Sequence, residues 1–233
     1  MGAPNWIGMA ALVAQKDLRI EGRSREVLYT MGFLAALLVL VFSFAFIAGQ
    51  EVSIGADGIA GILWVAVLFS GTVALSRTFD RERESEAIRS LLLSPVPRSA
   101  IYVGKLCATA VIMSLVQALL LPLLAVLFSA AIGGHLLWLA LLLFLGTVGF
   151  CAVGVIFSAA LLRSRSRDAL LGALLFPIVI PVLLAASRAT AYLLDPNVPS
   201  LDPAMFWTRF LMALDVVFVV IGLWAFEPVV SGE

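Results

Sequence analysis

Six apolar runs, at 28–48, 58–77, 106–131, 136–161, 170–189 and 205–226, occupy most of this 233-residue chain. Each has the roughly 20 residues that a helix needs to cross about 30 Å of hydrocarbon. Lipid offers no partner to an unpaired backbone amide or carbonyl, so each run is expected to be a helix. The third and fourth are long enough to tilt. Only 13% of residues are charged and mean hydropathy is +1.10. Soluble domains carry about 25% charge, so this composition cannot cover a water-facing surface. The expectation is an all-α integral membrane protein forming one six-span domain over residues 1–233.

The placement of charge gives the orientation. Lys16, Arg19, Arg23 and Arg25 precede the first run. Arg77, Arg81, Arg83, Arg89, Arg98 and Lys105 lie between the second and third, and Arg163, Arg165 and Arg167 between the fourth and fifth. These are 13 of the 15 basic residues. The positive-inside rule then puts both termini in the cytoplasm, as an even number of spans requires. Net charge is zero, with 15 basic and 15 acidic residues, which argues against nucleic acid as a partner.

Residues 5–25 are too polar to span. Trp6, Met9, Val13 and Ile20 fall near helical spacing and predict an amphipathic helix along the inner interface, in contact with membrane lipid. The first apolar run starts too late and runs too long for a cleaved signal peptide.

The stretch DRERESEAIRSLLLSP, residues 80–95, interrupts the apolar pattern with dense charge. Residues 80–94 are expected to be a short helix. Ala87, Ile88, Leu91 and Leu92 form one apolar face, and opposite charges sit three apart at Asp80–Arg83, Arg83–Glu86 and Glu86–Arg89. Ser94-Pro95 stops the helix, and Pro97 delays its restart until near Ser99. Such a helix can lie on lipid or seat in a groove of another protein; its mixed charge favours the protein.

At this point the chain resembles the CcmB family, the haem exporter B permeases of cytochrome c maturation. The matching stretches are GILWVAVLFSGTVALSRTFDRE (61–82), LLLSPVPRSAIYVGK (91–105) and LLFPIVIPVLLAASRAT (174–190). The resemblance implies a bacterial inner-membrane permease working with an ABC ATPase subunit, two copies of each. It also implies association with a haem-handling membrane protein and a periplasmic haem chaperone. ATP on the partner subunit would drive release of the haem-loaded chaperone or export of haem, and this chain would bind no cofactor of its own. Residues 80–94 become the coupling helix, with Glu86, Ile88, Arg89, Leu91, Leu92, Leu93, Ser94 and Pro95 as its docking surface. Family members often carry Gly-x-Leu-Glu just before LLLSP; here Glu86 replaces the Gly and Arg89 the Glu.

Other motifs agree with a transport subunit that is not itself an enzyme. A P-loop ending at Gly104-Lys105 would need Gly at 99 and Ser or Thr at 106, where Ser99 and Leu106 stand. No paired acids, Ser-His-Asp set or metal-ligand spacing occurs. Cys107 and Cys151 lie in apolar runs and read as inert thiols. His135, beside Gly133-Gly134 at the outer turn, is conceivable as a haem ligand but reads better as a turn residue. Gly146, Gly149 and Gly154 suit close helix packing. Pro122, Pro177 and Pro181 lie within spans, and Pro177 and Pro181 should bend the fifth, as a static kink or as a hinge. Asp215 is the one acid deep in a span. Arg209 is six residues away and points elsewhere, so Arg188 is the expected partner; a lone carboxyl and a proton or substrate relay are the other readings. Within the ATP-driven class the rival is an export permease for another cargo; outside it, the rivals are a secondary transporter and a membrane scaffold.

Overall fold

Every apolar run lies in a helix. The computed structural model describes residues 5–47, 54–79, 96–129, 133–162, 164, 166–198 and 200–231. These form seven α-helices and one short 3-10 turn, with no strand among the described residues. The helices are α1 (Trp6–Ser24), α2 (Glu26–Ile47), α3 (Ala56–Arg77), α4 (Arg98–Phe128), α5 (Leu136–Ala160), α6 (Arg167–Leu194) and α7 (Asp202–Ser231), with the turn Gly133–His135 before α5. α2 to α7 are each long and apolar enough to cross a membrane. The chain is a multi-pass membrane protein.

α4 begins eight residues before the expected span. Arg98 to Lys105 continue the same helix, started after Pro97, whose φ of −57° already suits a helix N-terminus. At 31 residues, α4 is about 46 Å long, more than the roughly 30 Å of hydrocarbon. Its far end stops at Phe128, short of the expected 131, because Ser129 turns left-handed with φ 51°. α6 and α7 likewise extend beyond their apolar runs at both ends.

α5 is the hub and packs against α3, α4, α6 and α7. Of its most apolar stretch 67% is buried, and of α3 61%, against 22% for α7. α5 can sit at the centre because its glycines admit neighbours. A Cβ at Gly146 would strike the Trp64 ring, and one at Gly154 would strike Leu75, so α3 lies close against α5 at two levels. Polar side chains fasten the same contacts. Trp64 Nε1 donates to Thr190 Oγ1 at 2.9 Å across α3 and α6, and Gln117 Nε2 to Thr147 Oγ1 at 2.8 Å across α4 and α5. Tyr102 Oη donates to the Ala152 carbonyl at 3.0 Å, again joining α4 to α5.

α1 does not meet lipid alone. Its stripe of Ala10, Val13, Asp17 and Glu21 turns inward, and the helix packs on α4. At its end Arg25 takes φ 53°, and its amide bonds the Glu21 carbonyl. The Glu21 carboxylate accepts from the Leu28 amide at 2.8 Å, satisfying a donor in the first turn of α2. One buried acid thus sets the corner between two helices.

Candidate coupling junction at the basic end of the bundle

The 80–95 connection leaves α3 and enters α4. Glu86, Ile88, Arg89, Leu91, Leu92, Leu93, Ser94 and Pro95 lie outside the described residues. The helix ends on either side of that connection are described, and they meet in one place.

Lys105, in the second turn of α4, is 1% exposed. Its Nζ lies 2.9 Å from Asp17 Oδ2 on α1 and 2.7 Å from the Thr78 carbonyl at the end of α3. The same ammonium stands 4.9 Å from the centre of the Phe79 ring, within cation–π range. One head group on α4 therefore ties together α1 and the end of α3. The sequence permits this because residue 104 is glycine. A Cβ there would lie 2.7 Å from the Ala10 carbonyl oxygen and 2.6 Å from the Val13 Cβ, and α1 would be pushed off. Trp6 Nε1 adds a bond to Ser99 Oγ at 2.9 Å, so α1 follows α4 from its first turn.

The last carbonyls of a helix lack the amides of a following turn, and cations favour that end of the helix dipole. The Leu75 carbonyl accepts from Ser158 Oγ at 2.7 Å and from Arg167 Nη2 at 3.4 Å, and the Thr78 carbonyl accepts from Lys105. Ser158 belongs to α5 and Arg167 opens α6. α7 closes the junction from beside. Phe226 stacks on Phe79 with centroids 6.5 Å apart and tilts against Tyr102 at 5.5 Å, while Arg98 Nη1 lies 3.5 Å from Glu227 Oε1. Arg77, Arg98, Lys105 and Arg167 thus gather at one end of the bundle, all from the connections that carry the charge asymmetry.

In the sequence Lys105 is one of six basic residues between the second and third runs, and Gly104-Lys105 completes no P-loop. The available signal was a glycine and a lysine adjacent at the start of a span, with an acid in a preceding amphipathic helix. Which face of α4 met α1 was not encoded in either helix alone.

The expected Arg188–Asp215 pair does not form. Arg188 Nη1 lies 3.2 Å from Asp57 Oδ1 at the opposite end of the bundle, with both side chains more than half exposed. Arg188 is about 9 Å from the end of α6 and Asp215 about 20 Å into α7 at 1.5 Å per residue. The long arginine reaches outward to the first turn of α3, where its charge stays solvated. Asp215 is 5% exposed, lies against Gly149, and has no hydrogen-bond partner among the described residues. Gly149 creates the space that its carboxyl occupies.

Pro177 and Pro181 lie inside an unbroken α6, both on its exposed face. His135 ends the 3-10 turn, exposed. No group of three His, Cys, Asp or Glu side chains able to hold a metal occurs among the described residues. Cys151 is buried with its Sγ 3.5 Å from Met113 Sδ, and Cys107 is exposed; both are free thiols.

The family model described as CcmB protein matches residues 9–231. The chain is 33% identical to Heme exporter protein B of Rhodobacter capsulatus over 180 residues, covering 76% of this chain and 79% of that one. It is 29% identical to Heme exporter protein B of Haemophilus influenzae over 177 residues, covering 75% and 78%. With the Pseudomonas aeruginosa protein of the same name it shares 26% identity over 222 residues, 95% of this chain and 97% of that one. The match takes in all six spans and most of α1, and the chain belongs to the CcmB family.

Proposed function

We propose that this chain is the permease subunit of a bacterial inner-membrane ABC transporter serving cytochrome c biogenesis. The observation that carries the reading is the family match over residues 9–231, together with relatives named Heme exporter protein B. The gathered helix ends at the basic side support it. Force delivered to the 80–95 connection enters α3 and α4 at a junction that also holds α1, α5, α6 and α7.

In this reading a separate ATPase subunit docks on residues 80–95 from the cytoplasm, the side on which both termini lie. Two copies of each subunit make the complex. Hydrolysis on the partner is coupled to export of haem or to release of a haem-loaded periplasmic chaperone, alongside a haem-handling membrane protein. This chain supplies the path for force and holds no nucleotide.

The test substitutes Ile88→Asp and Leu91→Asp in the full chain. Loss of ATPase copurification and of cytochrome c maturation, with the permease still inserted at normal level, is the expected result. Retention of both overturns the docking assignment. If the ATPase binds but haem attachment to cytochrome c is normal in cells lacking the chain, the cargo assignment falls instead.

A further inference from the structure

Taking an ammonium ion out of water costs several kcal/mol unless it is paired with good geometry. Among the described residues, Lys105 meets that condition through groups on two other helices, Asp17 of α1 and the Thr78 carbonyl of α3. Separating any of the three helix ends would strand a buried charge. The apolar contacts act in the same sense: Phe79 covers the ammonium, and Gly104 admits the α1 backbone at Ala10. Trp6–Ser99 and Glu21–Leu28 hold α1 at two further points, one to α4 and one to α2.

We infer that Lys105 and Asp17 are positioning residues that lock α1, the end of α3 and the start of α4 into one rigid body. The inference rests on the docking function proposed above. A push on the connection between Phe79 and Val96 then moves α1 together with α3 and α4, and the displacement reaches α2 through the Glu21 corner. Without the lock, the two roots of the connection yield separately and the push is absorbed at the α3 end. α1 is a member of the force path and not a passive lipid anchor.

The experiment uses the permease–ATPase complex in lipid nanodiscs, in a Cys107→Ser, Cys151→Ala background. Spin labels are placed at Leu12 on α1 and Ser76 in the last turn of α3. Asp17→Asn and Lys105→Met are compared with the parent for label distance with and without nucleotide, ATPase copurification, and cytochrome c maturation. The inference expects a narrow distance in the parent, the same in both nucleotide states. In each variant it expects a broadened distance and at least a tenfold loss of maturation, with the ATPase still bound. A parent distance that changes with nucleotide overturns it, as does a variant that keeps a narrow distance or full maturation. Loss of ATPase binding in the variants also overturns it, because the pair would then serve docking. Should Lys105→Met fail to accumulate, Asp17→Asn decides alone, since it leaves the Thr78 bond to Lys105 in place. If no ATPase binds the parent, the docking function has failed, and the label distances of the permease alone still decide whether the three helix ends are locked.

Discussion

Arg188 and Asp57 meet at 3.2 Å across α6 and α3, at the end of the bundle opposite Lys105. Both side chains are largely exposed, so solvent screening limits their attraction to about 0–1 kcal/mol. A double-mutant cycle with Arg188→Ala and Asp57→Ala should give a coupling energy in that range. Thermal unfolding in detergent at low and high salt measures it, and salt should reduce it. A salt-independent coupling well above about 1 kcal/mol would contradict the exposed geometry.

Asp215 and Arg188 should act independently. Each has different neighbours, so the effects of Asp215→Asn and Arg188→Gln on stability should add to within about 0.5 kcal/mol. A double variant much less damaged than that sum would show that the two charges interact.

Gly149→Ala should be costly for a different reason. Its methyl group would enter the space of the Asp215 carboxyl and also press on the Val182 side chain. Overpacking of this kind costs about 1–3 kcal/mol. Combining Gly149→Ala with Asp215→Ala should recover a large part of the loss, read as the temperature at which the detergent-solubilised protein aggregates.

Gly104→Leu should detach α1 while leaving the bundle intact. The added side chain meets the Ala10 carbonyl and Val13, whereas the contacts of α5 lie elsewhere. Limited trypsin digestion should then cut after Lys16 and Arg19 at least tenfold faster than in the parent. Unchanged cleavage would mean that α1 is held without the close approach at residue 104.

The two halves of the ion pair should be unequal. Asp17 keeps 18% of its side chain exposed and Lys105 only 2%. Removing the acid strands the deeper charge, so Asp17→Ala should destabilise more than Lys105→Met. Breaking a buried pair costs about 3–5 kcal/mol, which sets the upper range for Asp17→Ala. Equal losses would indicate that the Thr78 carbonyl alone satisfies the ammonium.

The six spans were legible because lipid imposes them: an apolar run of sufficient length has no alternative to a helix. Gly146 and Gly154 were legible as packing residues for the same local reason, and the structure places Trp64 and Leu75 against them. The partners of Arg188 and Lys105 were not. Helical phase can be read along one helix, and it correctly separated Arg209 from Asp215. It does not fix the rotation of one helix against another, and the choice between Asp57 and Asp215 depends on that rotation. The Lys105 site had the further difficulty that its acceptor on α3 is a backbone carbonyl, which every residue carries. The docking surface at 80–95 was read from pattern and family resemblance, and only its flanking helix ends are described.

The central place of α5 bears on how the protein is made. A ribosome delivers α2, α3 and α4 to the bilayer before α5, yet α5 carries the grooves at Gly146 and Gly154 that receive Trp64 and Leu75. Until the fourth span is threaded, the Trp64 indole and the Leu75 carbonyl lack their α5 neighbours, and Thr190 on α6 arrives later still. The nascent chain therefore passes through a stage in which α2, α3 and α4 are inserted while the α3 face at Trp64 and Leu75 still lacks α5, the stage at which a membrane chaperone or a quality-control protease has most to recognise.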